Sequence, residues 1–173
     1  MIGEVAIRAA VRADGPAIRA IHVGAFPTSA EADLVERLDR DGDAVLSLVA
    51  QCEGRVAGHL LLSRMRVSGD GRAFRALGLG PVAVLPELHR KGLGSALIRA
   101  ALAEARSAGE DFVFLVGDPA YYRRFGFAAE TAVPFASPYA GPYLMALNLS
   151  DSTLPAQGRA DYPPAFAELE EAG

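Results

Sequence analysis

The sequence of 173 residues is poor in cysteine: Cys52 is the only one, so no disulfide can form within the chain. A lone thiol is typical of proteins from a reducing compartment, and we expect cytoplasmic localisation. No apolar run reaches the roughly 20 residues that a membrane-spanning helix needs. Charged residues from Glu4 to Asp14 interrupt the first segment, which therefore lacks the pattern of a signal peptide. The sequence predicts no membrane partner.

Positive charge is also scarce. Lysine and arginine together number 17 against 21 acidic residues, which gives a net charge of −4. Nucleic-acid-binding domains usually carry a basic face, so we expect no nucleic-acid partner. Apolar residues make up 51% of the chain, enough for a sizeable core at this length. We therefore expect one domain over residues 1–173, with residues 150–173 as a C-terminal tail.

The most informative segment is an apolar strand that runs into a basic, glycine-rich turn and then a long helical pattern, at residues 82–108. Gly92 and Gly94 remove side chains that would hinder the close approach of a ligand. The first turn of a helix presents N–H groups without intrahelical partners, and the helix dipole adds about half a positive charge there. Arg90 and Lys91 add full charges just before the helix. This arrangement predicts a phosphate-containing ligand.

Two common phosphate-binding motifs do not fit this turn. A Walker loop places lysine directly after its second glycine, whereas Lys91 precedes Gly92. The dinucleotide fingerprint needs a third small residue at the position that Leu97 occupies. The pattern that is present consists of a polar residue, two further residues and Gly-x-Gly, at His89 to Gly94.

Two segments together resemble the GNAT superfamily of N-acetyltransferases, whose members bind acetyl-coenzyme A. The segment from His89 to Gly94 is similar to the pyrophosphate loop of that family. A second segment follows an apolar strand and resembles the Tyr-x-x-x-Gly-Phe element of the family, with Tyr122, Gly126 and Phe127 in the matching positions. The two segments are separated by one predicted helix and one predicted strand, as the resemblance requires.

The resemblance covers the chain from Val5 to about Leu149, and residues 162–166 are similar to a branch of small bacterial acetyltransferases. It implies an α/β fold, the GNAT acyl-CoA N-acyltransferase fold, with a mixed, mostly antiparallel sheet flanked by helices. The sheet is expected to splay between its fourth and fifth strands. Acetyl-CoA would lie in this opening as the co-substrate, and no metal is expected.

The resemblance also implies which residues form the site. Tyr122 would be the general acid, because a phenol can protonate the thiolate of coenzyme A as it leaves. Backbone groups of the fourth strand would pair with the amides of the pantetheine arm, and the N–H of Val82 or its neighbour would steady the thioester oxygen. The expected CoA-binding residues are Val82, Ala83, Val84, His89, Arg90, Lys91, Gly92, Leu93, Gly94, Ser95 and Asp118.

The activity that the resemblance implies is acetyl-CoA-dependent N-acetyl transfer to a primary amine of a small molecule, peptide or protein, without an acyl-enzyme. The closest alternative is an acyl-CoA-binding sensor of the same fold with little or no turnover. A regulatory module that binds ATP or GTP on the same loop is more distant, and a scaffold role is least favoured. The acceptor, the acyl-chain preference and the oligomeric state, monomer or homodimer, are open at this point.

The sequence does not identify the general base that would remove a proton from the acceptor amine. His22, Glu31 and Asp118 are candidates, but His22 falls within the first predicted helix and Glu31 within a capping box. A structural role is favoured for each of them, and water is a further candidate. His59 lies in a predicted strand and is interpreted as a hydrogen-bonded core residue.

Hydrophobic periodicity predicts the order of helices and strands. Strands are predicted at residues 5–11, 44–51, 56–67, 74–84, 112–116, 127–133 and 143–149. Helices are predicted at residues 14–26, after the capping box at 28–31, at 92–108 and at 120–125. Gly78, Gly80 and Pro81 predict an irregularity in the fourth strand, since proline within a sheet belongs at an edge or a bulge.

Overall fold

A computed structural model describes residues 3–172, which form parts of two compact units. The first unit comprises Met1–Ser63, Gly80–Ala101 and Pro164–Gly173, and the second comprises Arg64–Leu79 and Leu102–Pro163. Each unit is described by itself below. The expectation of a single domain stays a prediction.

The secondary structure alternates strands and helices along the chain. The strands are β1 (Val5–Ala9), β2 (Ala44–Cys52), β3 (Arg55–Gly69), β4 (Arg72–Val84), β5 (Phe112–Val116), β6 (Phe135–Ala136), β7 (Leu144–Asn148) and β8 (Gly158–Asp161). The helices are α1 (Gly15–Ala25), α2 (Ala30–Arg40), α3 (Leu93–Ser107), α4 (Pro119–Tyr122), α5 (Ala129–Ala132) and α6 (Phe166–Ala172). Within residues 3–172, no helix has both the length and the apolar character that crossing a membrane demands.

The sheet of the first unit is antiparallel. β1 pairs with β2, and β2 pairs with β3 with Val49 opposite His59. Leu85 N–H, one residue past β4, donates to Ala57 O at 2.8 Å and so fixes the end of β4 beside β3. These pairings confirm the hairpin that the sequence predicts between residues 44 and 67.

Helices α1 and α2 cover this sheet with their apolar faces. Ile18 of α1 and Leu34 and Leu38 of α2 recur at helical spacing and are buried. They form one cluster with Val49 of β2 and Leu61 of β3. Fully burying side chains of this size contributes roughly 1.5–3 kcal/mol each, so this cluster is a main source of the unit's stability.

The starts of both helices differ from the sequence prediction. The Asp14 carboxylate does not cap α1; it accepts hydrogen bonds from the Arg8 guanidinium and from Val11 N–H. Ser29 is the N-cap residue of α2, but its hydroxyl bonds to the Asp33 carboxylate and makes no capping bond. The charge-assisted bond between Arg8 and Asp14 is stronger than a capping bond to a backbone N–H, which explains why Asp14 does not cap α1.

The sheet of the second unit contains the parallel pair that the sequence predicts. β4 runs parallel to β5 from Ala76 opposite Phe112 to Gly78 opposite Phe114, and β5 continues to Val116. β7 is antiparallel to β5, β8 is antiparallel to β3, and β6 is parallel to β8. The predicted fold class, a mixed and mostly antiparallel sheet, is therefore confirmed.

β4 departs from regular strand geometry shortly after its ladder with β5 ends. Gly80 has a φ of 139°, a value that essentially only glycine adopts, and the Gly80–Pro81 peptide is cis. The strand then continues to Val84. The irregularity lies where glycine and proline predict it.

The core of the second unit is rich in phenylalanine. Phe112 and Phe114 of β5 pack edge to face on Phe135, with ring centroids 5.5 and 5.3 Å apart, and Phe74 of β4 packs on Phe112 at 5.3 Å. Edge-to-face contacts of this kind add about 0.5–1.5 kcal/mol each beyond the area that they bury. They fix β4, β5 and β6 against one another.

A buried carboxylate ties β3 and β4 to the residues before β5. Glu110 is only 1% exposed, and both of its oxygens accept from the Arg64 guanidinium, at 2.7 and 2.8 Å. Arg75 adds a further bond at 3.0 Å. The sequence gives no sign of this network, because its members are far apart along the chain.

One further prediction is wrong for the C-terminal part. No strand spans 127–133: the structure has a bridge at Ala128, the one-turn helix α5 and the two-residue strand β6. Alanine and Glu130 favour helix in this segment. The tail is structured too, since β8 pairs with β3 and β6, and α6 follows it.

Candidate functional site

The turn between β4 and α3 contains two residues in left-handed conformations. A 3-10 turn at Pro86–Leu88 follows β4, and Arg90 and Gly92 then adopt left-handed conformations, with φ of 63° and 85°. Ala96 N donates to Gly92 O at 3.0 Å, so α3 begins directly after the turn, and the N–H groups of its first turn lie at the positive end of the helix dipole. Arg90 and Lys91 are exposed beside them. The turn places two cations at the positive end of a helix dipole.

The other predicted residues of this turn have different roles. The imidazole Nε2 of His89 lies 2.8 Å from Val84 O, so this nitrogen donates to the strand rather than to a ligand. Leu93 is buried and offers only its backbone, whereas Gly94 and Ser95 are half-buried. His89 therefore holds the turn against β4, a role that the sequence did not assign.

The direction of the backbone groups at the end of β4 follows from one hydrogen bond. Leu85 N–H points to β3, where it donates to Ala57 O. Along a strand, successive residues direct their N–H and C=O groups to opposite sides. Val84 and Val82 therefore direct theirs away from β3, and Ala83 directs its own towards β3. Among the three predicted positions, Val82 and Val84 are the ones that can pair with an added extended ligand.

Tyr122 lies in the second unit on the short helix α4, whose start is well defined. The Asp118 carboxylate accepts from Ala120 N–H at 2.9 Å, and the Asp118 carbonyl accepts from Tyr122 N–H at 3.0 Å. A Cβ at Gly117 would overlap the Tyr122 ring, so glycine is required at that position. Asp118, predicted to contact CoA, acts here as the N-cap of α4.

The Tyr122 ring is held by other aromatic rings. It packs against Tyr121, Phe125 and Phe127 with centroids 4.9, 6.4 and 6.2 Å away. Burial, with a smaller effect of Tyr121, raises the pKa of the Tyr122 phenol above its usual value. The hydroxyl is therefore protonated at neutral pH and can act as a proton donor. Tyr121 packs beneath the Arg124 guanidinium, which lies 4.7 Å from the ring centroid.

Three polar side chains of the first unit form a hydrogen-bonded chain that the sequence did not predict. His22 Nε2 lies 2.8 Å from His59 Nδ1, and His59 Nε2 lies 2.8 Å from Ser47 Oγ. Burial lowers the pKa of His22 to about 4. Burial and then His22 lower the pKa of His59 to about 3, with Asp14 acting in the opposite direction. Both rings are therefore neutral at physiological pH.

The interpretation of His59 as a hydrogen-bonded core residue is confirmed, since the ring is fully buried. Ser47 was missed. Its signal was a lone polar residue on a strand face that otherwise carries Val45 and Val49. His22 gave a similar signal, a polar residue on the buried face of α1 beside Ile18.

Comparison with protein families identifies the chain. A family model described as an acetyltransferase (GNAT) domain matches residues 6–129. The chain belongs to the GNAT acetyltransferase family. The predicted family is thereby confirmed, and with it the class of N-acetyltransferases.

Individual relatives of this GNAT protein agree with the assignment. It is 39% identical over 118 residues to YjhQ of Escherichia coli, named an uncharacterized N-acetyltransferase; the match covers 67% of this chain and 65% of YjhQ, just under two thirds of that protein. The crystal structure of the E. coli GNAT protein YhbS in complex with CoA is 30% identical, with a TM-score of 0.85 over 96% of this chain and 93% of YhbS. A GNAT acetyltransferase from Brucella melitensis in complex with acetyl-CoA is 33% identical, with a TM-score of 0.78 over 94% and 98% of the two chains.

For this GNAT protein, the roles of the individual site residues stay predictions. The first unit holds the residues of β4 and of the turn before α3, and the second unit holds Asp118 and Tyr122. Among residues 3–172, no group of three or more histidine, cysteine, aspartate or glutamate side chains is placed to hold a metal ion.

Proposed function

We propose that this GNAT protein transfers the acetyl group of acetyl-CoA directly to a primary amine of a small molecule, peptide or protein. The observation that carries the proposal is the turn before α3. Its left-handed Arg90 and Gly92 bring the positive end of the helix dipole and the charges of Arg90 and Lys91 onto one short segment. A diphosphate is the ligand that such a segment suits.

The strand before the turn supports the same ligand. Val82 directs its N–H and C=O away from β3, and the β4–β5 ladder ends at Gly78 opposite Phe114. An amide-rich arm that pairs with Val82 would continue the sheet as an added strand. YhbS and the Brucella protein, solved with CoA and acetyl-CoA, are similar to this chain over nearly its whole length.

The proposed reaction needs one attack and two proton movements. The amine nitrogen attacks the thioester carbon, the new C–N bond forms, and the C–S bond breaks. The developing oxyanion would accept a hydrogen bond from Val82 N–H, and loss of one such donor typically costs about 3 kcal/mol of transition-state stabilisation. The departing sulfur takes the proton of the Tyr122 hydroxyl, and the nitrogen releases a proton of its own.

Replacement of one hydroxyl group tests the role of Tyr122. We expect Tyr122→Phe to lower kcat about 100-fold or more, as for loss of a general acid, with unchanged affinity for acetyl-CoA. Tyr121→Phe is the matched control, because it removes the neighbouring hydroxyl from the same short helix, and we expect kcat to change less than about threefold. The measurement is CoA release with a panel of small amines and peptides, together with calorimetric titration of acetyl-CoA.

The outcomes separate the proposal from its rival. Equal kcat for Tyr122→Phe and the unchanged chain would remove Tyr122 from the mechanism. Tight binding of acetyl-CoA without transfer to any amine of the panel would favour an acyl-CoA sensor. Tighter binding of ATP or GTP than of acetyl-CoA would overturn the assignment of the turn.

A further inference from the structure

The buried hydrogen-bonded chain His22–His59–Ser47 ends in an unsatisfied nitrogen. His22 Nδ1 is enclosed and has no hydrogen-bond partner among the described residues. A buried polar atom without a partner costs about 1–3 kcal/mol, so such atoms are rare and call for an explanation. The Phe26 ring stacks on His22 at a centroid distance of 6.0 Å and helps to enclose it.

The pattern of donors along the chain follows from the protonation of the rings. Each neutral imidazole carries one N–H, so the 2.8 Å contact between His22 and His59 needs one donor and one acceptor. If His22 donates, His59 donates in turn to Ser47, and His22 Nδ1 is left as a bare acceptor. If the direction is reversed, His22 Nδ1 carries a buried N–H without an acceptor, which is the rarer fault in proteins. The first arrangement is therefore favoured.

Helix α1 and strand β3, which carry the two histidines, run beside the segment assigned to acetyl-CoA. His22 belongs to the last turn of α1, and a Cβ at Gly24 would lie 4.0 Å from Pro86, two residues beyond β4. On β3, a Cβ at Gly58 would lie 3.4 Å from the carbonyl oxygen of Ala83, and His59 is the next residue. The backbone of β3 at His59 thus lies about one strand spacing from the backbone that would carry the thioester.

The Ser47 end of the chain reaches a cavity. A cavity of about 510 Å³ lies between α1, α2 and the strands of the first unit, and Ser47 lines it together with Ile18 and Leu61. Arg12 and Asp39 are polar side chains in its lining, and both are exposed. Solvent in this cavity can exchange protons with the Ser47 hydroxyl.

We propose that His22, His59 and Ser47 form a proton relay that carries the proton of the acceptor ammonium to the cavity. This inference rests on the proposed acetyl transfer. The Phe26 ring that encloses His22 has to shift before the ammonium can give a proton to His22 Nδ1 through one water, and His22 Nε2 then passes its own proton to His59 Nδ1. His59 Nε2 passes a proton to Ser47 Oγ, which releases its proton to solvent. After product release, His22 Nδ1 loses its proton to the emptied acceptor site and Ser47 takes one up, which restores the chain.

Few charges act on the relay. Asp14 interacts electrostatically with His59 and is itself paired with Arg8 at 2.8 Å. On α2, Glu31 has one buried carboxylate oxygen without a partner among residues 3–172, so it is the rival proton acceptor of this unit. A test of the relay must therefore distinguish His22 from Glu31.

The first test reads the tautomers directly and does not depend on activity. The chain has three histidines, so nitrogen-15 NMR of the imidazoles gives a spectrum that His22→Gln and His89→Gln suffice to assign. At pH 7 we expect both His22 and His59 to be neutral with the proton on Nε2. A proton on His22 Nδ1 would overturn the relay, since that atom could not then accept one.

The second test uses a matched pair of variants at Ser47. Ser47→Thr and Ser47→Val have nearly the same shape, but only the first keeps the hydroxyl. We expect kcat of Ser47→Val to fall about tenfold below that of Ser47→Thr at pH 7, where an amine with a pKa of about 10 is protonated. The ratio of the two kcat values approaches 1 as the pH approaches the pKa of the amine. The affinity for acetyl-CoA stays equal in the two variants.

The outcomes distinguish failure of the relay from failure of the proposed function. A constant ratio of the two Ser47 variants across pH, or equal rates at pH 7, would overturn the relay while acetyl transfer stands. A pH dependence that Glu31→Gln removes and Ser47→Val leaves intact would assign the proton to Glu31 instead. If no amine is acetylated, the proposed function fails, and the His22 tautomer still decides whether the chain can accept a proton.

Discussion

At the scale of single residues, buried polar side chains such as Asp14 contribute more to the stability of the fold than exposed ones do. Asp14 accepts from Arg8 at 2.8 and 2.9 Å and from Val11 N–H at 2.7 Å. These bonds, first of all those from Arg8, lower the pKa of Asp14 to about 2. A carboxylate with a lowered pKa stabilises the folded state only where it is ionised.

The pH dependence of stability follows from this shift. The contribution of Asp14 is fully present above the unfolded-state pKa of about 3.9 and is lost as the pH falls towards about 2. We expect Asp14→Asn to lower the free energy of unfolding at pH 7 by about 1 kcal/mol, a modest value because Arg8 is partly exposed and screened by solvent. Urea unfolding at several pH values measures this.

The control for Asp14 is Glu104→Gln, which removes an exposed carboxylate from α3 and should change stability by less than about 0.5 kcal/mol. The difference between the two variants should shrink as the pH falls below about 4. A difference that is independent of pH would show that the Asp14 charge does not stabilise the fold.

At the scale of elements, the turn between β4 and α3 holds conformational strain where the ligand would bind. Arg90 has a φ of 63°, and a left-handed conformation costs a non-glycine residue about 1–2 kcal/mol. Gly92 has a φ of 85°, and a Cβ there would meet no atom within 4 Å. Glycine is thus required at position 92 for its backbone angle and not for lack of space.

This distinction leads to a prediction for Gly92→Ala. We expect the free energy of unfolding to fall by about 1 kcal/mol and the Kd for acetyl-CoA to rise about tenfold, because the first N–H groups of α3 are turned away. Gly15→Ala is the matched control: Gly15 has a φ of −48° and equally open space, so both quantities should stay nearly unchanged. Unchanged affinity in Gly92→Ala would contradict the placement of the pyrophosphate.

At the scale of the whole molecule, the sequence predicts what is encoded locally. The strand, turn and helix from β4 to α3 follow from a short run of apolar residues, Gly92 and two cations, and β5 follows from five apolar residues. Contacts between distant segments leave no such pattern. The bond from Glu110 to Arg64 spans 46 residues, and the contact between His22 and His59 spans 37. Strand β8 and helix α6 of the tail are further structure that the sequence did not predict.

The tail contributes to the core of each unit. In the second unit, the Tyr162 ring lies so close to Gly78 that a Cβ there would be 2.8 Å from it, and β8 pairs with β3 and β6. In the first unit, Ala165 is buried in the apolar cluster of α1 and α2, with Phe166 packed against it. The matched GNAT family segment ends at residue 129, so the tail residues that make these contacts lie outside it.

Removal of the tail should therefore destabilise the whole chain. We expect a chain that ends at Leu149 to lose at least about 3 kcal/mol of unfolding free energy, because β8 leaves unpaired backbone groups on β3 and several apolar side chains lose their cover. The control removes only residues 171–173 and keeps β8 and Phe166, and we expect its melting temperature to stay within about 3 °C. If the chain ending at Leu149 melts at the same temperature as the full chain, the tail stabilises neither core. Its pairing with β3 then contributes nothing to the free energy of unfolding.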